Sequence, residues 1–192
     1  MNGVPTIRTE RLLLRPALER DAAAIIRFFI ENRDHLVPWE PDRPLDFYSE
    51  EFWRGQAHRH RQAFQGGFAL MLFIFRGEEP DIPIGQISFT NVIHGPAESC
   101  NVGYALAASA QGQGYMTEAL RAAIEFVFRE MNLHRVQAAF MPHNERSNAV
   151  LRRLGFVVEG YARDYLMIGG RWRDHVLTAL TNPDWEAGAE PR

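Results

Sequence analysis

The stretch "ALAASAQGQGYMTEAL", residues 105–120, decides the architecture. An apolar segment ending at Leu106 gives way to small residues and to Gly112 and Gly114. Met116, Leu120, Ile124, Val127 and Met131 then recur at helical spacing. Bare backbone at the head of a helix suits an anion, because the first-turn N–H groups lack intrahelical partners and the helix dipole favours negative charge. The pattern predicts a strand, a phosphate-holding loop (Gln111, Gly112, Gln113, Gly114, Tyr115, Met116) and a helix through about residue 131. The dinucleotide fingerprint G-x-G-x-x-G fails, since Thr117 stands at the third glycine. The next strand, "RVQAAFM", also ends without an acidic residue for a ribose. A Walker loop fails too: all 21 basic residues are Arg and none is Lys. No side chain within the loop is basic, so its backbone is expected to carry the phosphate contact alone.

Outward from the loop, "TIRTERLLLRP" (6–16) reads as one strand closed by Pro16. Asp21 is placed to cap a helix through about Asn32, with Ile25, Phe28 and Phe29 facing inward. "DHLVPWEPDRP" (34–44), with three prolines and Trp39, argues against a helix and reads as a long ordered loop or a turn between helices. A helix over about 47–65 stops at Gly66-Gly67. "FALMLFIF" (68–75), "IGQISFTNV" (84–92) and "SCNVGYAL" (99–106) read as a meander of strands, with "RGEEPDIP" as the first turn. "RVQAAFM" (135–141) is a further strand, and a short helix runs from about Glu145 to before Gly155. Two strands turn around Gly169-Gly170, and the tail from about residue 183 is expected to be irregular. The order gives a single α+β domain over residues 1–192.

Composition narrows the function. With 192 residues, 46% hydrophobic and 23% charged, the chain reads as an ordinary globular domain. No apolar run approaches the roughly 20 residues of a membrane span, and no signal peptide is read at the N-terminus. A lone Cys100 fits a reducing compartment, so a cytoplasmic protein without a membrane partner is expected. The net charge of −3 argues against direct nucleic-acid binding. His58 and His60 lie two apart on a helix and point to different faces, so no metal site is expected. Ser147, His175 and Asp164 do not make a hydrolase triad, because no G-x-S-x-G elbow exists.

Strand, then Q-x-x-G-x-[G/A], then a long helix resembles the acetyl-CoA motif of the GCN5-related N-acetyltransferases, met here as Gln111, Gly114 and Met116. Met116 departs from the usual Gly or Ala. "VPWEP", "QGQGYMTEAL", "FMPHNERS", "LGFVVEGYARDYL" and "GRWRDHVLTALTNPDW" together resemble the RimJ/RimL-type ribosomal-protein-alanine N-acetyltransferases, the RimJ-like side especially. The resemblance covers nearly the whole chain. It implies a splayed, mostly antiparallel mixed sheet flanked by helices, with the pantetheine arm of acetyl-CoA bonded to backbone near Tyr104, Ala105 and Leu106. It implies pantetheine binding by Asn144, a thiolate-protonating hydroxyl at Ser147 and a carboxylate base at Asp164, directly or through water. It also implies that Trp39 and Glu40 border the acceptor groove.

The expected acceptor is the N-terminal amine of a protein, a ribosomal one starting with Ala. Such an amine has a pKa of about 7.7–8.0, so roughly a third is neutral near pH 7.5, against about one Lys in a thousand. A weak or water-mediated base therefore suffices. A small-molecule amine acceptor (aminoglycoside, polyamine or amino acid) and a non-catalytic acyl-CoA-binding module remain the alternatives, and monomer and homodimer both stay open.

Overall fold

Thr9 decides how the chain begins. Its hydroxyl accepts the Leu12 N–H at 2.9 Å, and its own N–H donates to the Leu12 carbonyl at 2.9 Å. Such local bonding competes with extension. The single first strand read from the sequence is therefore two short ones, β1 (Ile7–Arg8) and β2 (Leu12–Arg15), paired antiparallel. The structure is a computed structural model and describes residues 5–186.

Helix α1 (Ala22–Glu31) is entered through a 3-10 turn, Glu19–Asp21. Asp21 does not cap it with its side chain. Its carboxylate is taken by the Arg15 guanidinium at 2.5 and 3.0 Å and by the Leu18 N–H at 2.7 Å. Both charges are buried and mutually satisfied, the condition under which a buried ion pair is tolerated. After α1, where the prolines argue against a helix, the chain forms α2 (Arg33–Leu36) and a 3-10 turn, Val37–Trp39. Pro38 lies in the first turn of that segment, where its missing N–H costs no helical bond. Helix α3 (Glu50–Gln65) starts slightly later than expected because the Ser49 hydroxyl accepts the Phe52 N–H at 3.1 Å.

Strands β3 (Leu70–Arg76), β4 (Glu79–Ile93) and β5 (Ser99–Leu106) form the meander. β4 begins at Glu79 rather than Ile84, with Pro80 and Pro83 accommodated where its register against β3 slips. Helix α4 (Tyr115–Glu130), β6 (Arg135–Phe140), α5 (Glu145–Arg153), β7 (Val157–Ile168) and β8 (Arg171–Thr181) complete the order. Gly169 and Gly170, at φ 57° and 70°, make the β7–β8 turn that only glycine-like residues enter freely. Residues 183–186 form neither helix nor strand, and Trp185 Nε1 donates to the Asn132 carbonyl at 3.0 Å. Residues 187–192 lie outside the described residues.

The eight strands lie in the order β1-β2-β3-β4-β5-β6-β8-β7. Every pairing is antiparallel except β5–β6, which is parallel and spans three residue pairs: Ser99–Arg135, Cys100–Val136 and Asn101–Gln137. The two strands then part, so the splayed mixed sheet is present. Cross-strand partners share a face. Phe73, paired with Gln86, meets Trp53 of α3 at 5.8 Å, which puts α3 on the face of Gln86, Ser88 and Thr90. Tyr104, paired with Ile87, bonds Ser147 of α5, which puts α5 on the other face. The core holds Leu72, Phe73, Ile74, Phe75, Ile87, Phe89 and Leu120, each at most 1% exposed. Each such side chain contributes about 1.5–3 kcal/mol on burial.

Candidate active site

Where β5 and β6 part, a continuous cleft of about 2220 Å³ passes between them and reaches both faces of the sheet. The Ala107 N–H donates to the Ile84 carbonyl of β4 at 2.8 Å, and the Ser88 hydroxyl donates to the Gly103 carbonyl at 3.3 Å. Alternation along β5 therefore turns the backbone polar groups of Tyr104 and Leu106 the other way, toward the cleft. Beyond Asn101 no β6 residue pairs with them. The backbone N–H groups of Tyr104 and Leu106 are thus left unpaired by the sheet, whereas Ala105 turns toward β4.

The glycine loop closes one end of the cleft. Gly112 and Gly114 have φ of 76° and 80°, and Gly114 is the N-cap of α4. The first intrahelical bond runs from the Glu118 N–H to the Gly114 carbonyl at 3.0 Å, which leaves the N–H groups of Tyr115, Met116 and Thr117 without helical partners. Met116 buries its side chain in the core at 6% exposure, so the departure from Gly or Ala leaves that helix start uncovered. The loop itself carries no basic side chain, but two arginines reach it from elsewhere. Arg11 Nη1 donates to the Gln113 carbonyl at 3.0 Å, and Arg146 Nη1 donates to Gln111 Oε1 at 2.5 Å. Gln111 Nε2 also meets His35 Nε2 at 2.9 Å. Arg11 is neutralised by Glu118, which also accepts the Thr9 hydroxyl. Burial raises the Glu118 carboxyl, but the hydrogen bonds from Thr9 and Arg11 outweigh it and hold the group below its usual range. Among the described residues Arg146 has no carboxylate partner. A pyrophosphate fits this end: open helix-start donors and one uncompensated guanidinium.

At the fork stands a pair of hydroxyls. The Tyr104 phenol and Ser147 Oγ lie 2.8 Å apart, and either can donate. Burial pushes the phenol up to about 12, against a smaller lowering by the Ser147 bond, so it stays protonated at neutral pH. Ser147 sits in the first turn of α5, where Asn144 Oδ1 accepts its N–H at 3.1 Å. Asn144 therefore fixes Ser147 as a helix cap and also borders the cleft.

Asp164 is placed differently from its expected neighbours. It lies in the irregular part of β7 between Ala162 and Leu166, at φ 47°, with its side chain exposed and its N–H donated to Asp174 Oδ1 at 2.9 Å. It does not line the cleft, whereas the adjacent Tyr165 does. His175, 4% exposed, lines the cleft as well, with Nδ1 2.9 Å from the Arg173 carbonyl.

Trp39 and Glu40 also line the cleft. The Trp39 ring lies 5.4 Å from that of His143. Glu40 Oε2 pairs with Arg43 at 2.5 Å, and that guanidinium is itself stacked 4.5 Å over Phe29 and 4.7 Å over Phe47. The sequence singled out Glu40 but not the aromatic clamp that holds its partner.

The acetyltransferase (GNAT) domain family matches residues 11–157. The chain belongs to that family. It is 43% identical to [Ribosomal protein uS5]-alanine N-acetyltransferase of Escherichia coli (strain K12), over 97% of each chain. Among solved structures it is similar to ribosomal-protein-S5-alanine acetyltransferase from Vibrio fischeri, with a TM-score of 0.89, 37% identity, and coverage of 95% of this chain and 99% of that one. It is also similar to Mycobacterium smegmatis RimJ in complex with CoA-disulfide, with a TM-score of 0.82, 35% identity, and coverage of 93% and 86%. The splayed sheet and glycine loop are thus those of an N-acetyltransferase of the GNAT family. No described helix is long and apolar enough to cross a membrane.

Proposed function

We propose that this GNAT enzyme transfers acetyl from acetyl-CoA to the N-terminal alanine of a ribosomal protein, uS5 being the favoured acceptor. The likeness over 97% of both chains to an enzyme named for that reaction carries the choice of acceptor. Helix-start donors at Tyr115 to Thr117 and the Arg146 guanidinium hold the pyrophosphate, and the Tyr104–Leu106 backbone holds the pantetheine arm. Bound there, acetyl-CoA supplies an activated acetyl thioester. A backbone N–H at Tyr104 or Leu106 faces the carbonyl oxygen and stabilises charge that develops on it. The neutral amine forms the C–N bond as the C–S bond breaks. Ser147, bonded to the Tyr104 phenol, donates a proton to the departing thiolate and regains one from water, so the pair ends the turnover neutral. The proton lost by the amine passes to water, since Asp164 lies outside the cleft and the α-amine needs no strong base near pH 7.5.

A CoA-release assay tests the reading. An Ala-starting peptide with the N-terminal sequence of uS5 is expected to be turned over, while its N-blocked form and a panel of small amines are not. Turnover confined to small amines would replace the ribosomal acceptor by a metabolite. CoA binding without turnover of any acceptor would point to a non-catalytic module.

A further inference from the structure

Buried polar atoms are nearly always paired, so each one left alone asks for an explanation. Among the described residues two buried side-chain atoms have no hydrogen-bond partner: Glu40 Oε1 and His60 Nδ1. They are distant in sequence and sit on different elements, yet both residues line the same cleft. Both belong to the sheet face opposite Ser147, the face covered by α3. Glu40 is anchored there through Arg43, which stacks on Phe47, and Phe47 packs 5.2 Å from Trp53 of α3. His60 lies on the same helix two turns further along. The same sheet face carries Ser88 of β4 facing Gly103 of β5, both lining the cleft, and a Cβ added at Gly103 would come within 3.2 Å of the Ser88 hydroxyl. Gly103 therefore keeps the cleft open there.

The chemistry of the two atoms is specific. Glu40 Oε1 is half of a carboxylate whose other oxygen is already compensated, so it accepts a hydrogen bond without needing a full counter-charge. Burial, with the Arg59 charge adding to it, lowers His60 to about 4, which leaves a neutral imidazole at working pH. A neutral imidazole has one donor and one acceptor nitrogen, so Nδ1 can accept from a peptide N–H or donate to a peptide carbonyl according to its tautomer. Glu40 reaches α3 through Arg43, Phe47 and Trp53, and His60 lies seven residues beyond Trp53, a rise of about 10 Å along the helix, so an acceptor that meets both runs along α3.

We propose that the N-terminal residues of the acceptor lie extended along α3, with Glu40 Oε1 accepting an N–H at the leading end and His60 Nδ1 hydrogen-bonding a later peptide group. The class of acceptor selected is then a peptide backbone, not an isolated amine. This inference rests on the protein-N-terminus reading above and adds two positioning residues to it.

The test compares kcat/KM for an Ala-starting hexapeptide with that for alaninamide, which offers the same amine and lacks later peptide groups. The wild-type ratio is expected to be about 100. In His60→Ala and, separately, in Glu40→Gln it is expected to fall about tenfold, with melting temperature and acetyl-CoA affinity close to wild type. An unchanged ratio in both variants overturns the proposal while leaving N-terminal acetylation intact. A loss of melting temperature or cofactor affinity in place of the ratio change also overturns it, because the orphaned atoms would then be structural. Wild-type turnover of neither compound removes the reading on which the inference stands.

Discussion

Ser147 donates from a hydroxyl whose own partner, the Tyr104 phenol, is 2.8 Å away and kept protonated by burial. A two-hydroxyl relay suits a thiolate that appears only as the C–S bond breaks, because neither group needs to ionise beforehand. General acid–base groups typically contribute 10²–10⁴ in rate. Ser147→Ala is therefore expected to lower kcat about 100-fold with little change in acetyl-CoA affinity, and Tyr104→Phe to lower it less. Single-turnover kinetics beside calorimetry would read this, and an unchanged kcat in Ser147→Ala would remove its proton role. At this scale the sequence exposes whatever is local. Asn144 and Ser147 are three apart, and the glycines announce their loop. The phenol of Tyr104 meets Ser147 across 43 positions and Arg146 meets Gln111 across 35, distances over which no spacing rule operates. Asp164 is the reverse case. Its carboxylate is visible in the sequence, but an irregularity in β7 reorients that residue while Tyr165 enters the cleft.

The element that works hardest for binding is the turn into α4, and it is built from a conformation as much as from side chains. Gly114 has φ 80°, and a Cβ there would meet only Arg11 Nη2, at 3.6 Å. Substitution is therefore strained by backbone and not by crowding within the protein. A β-branched residue in the left-handed region costs about 1–2 kcal/mol or more, relieved only by swinging the N–H groups of the helix start. Gly114→Val is expected to raise the acetyl-CoA Kd about tenfold, with the Arg11–Glu118 tether preserving the helix beyond it. Unchanged affinity by calorimetry would sink the backbone cradle. The helices and strands around this turn were largely legible, since β5 spans residues 99–106 as expected and α4 begins one residue after Gly114. Less legible were places where a local hydrogen bond overrides pattern. Thr9 splits the first strand, Asp21 turns to Arg15 instead of capping α1, and Pro38 occupies a helical turn where three prolines argued against a helix.

At the scale of the molecule, the sheet is two pieces joined lightly. Strands β1 to β5 carry one ladder and β6 to β8 the other, and three parallel residue pairs connect them. The unpaired polar groups of Tyr104 and Leu106 face water in the free enzyme, where a regular sheet would bond them to β6. A pantetheine arm seated in the fork supplies the missing partners, so cofactor binding should stitch the two ladders together and not merely fill a pocket. At 100 times its Kd a ligand adds about 2.7 kcal/mol. For a chain of this size that raises Tm by about 5–10 °C. Where the stabilisation appears is the sharper expectation. Hydrogen exchange in Val102–Leu106 and Ala138–Phe140 should slow on adding acetyl-CoA, together with residues 112–117 of the loop. Slowing restricted to the loop would mean that the phosphates alone carry binding and that the open strands are not the pantetheine site. Slowing along both open strands would instead make the parting of β5 from β6 the feature that converts a sheet into an acetyl-transfer site.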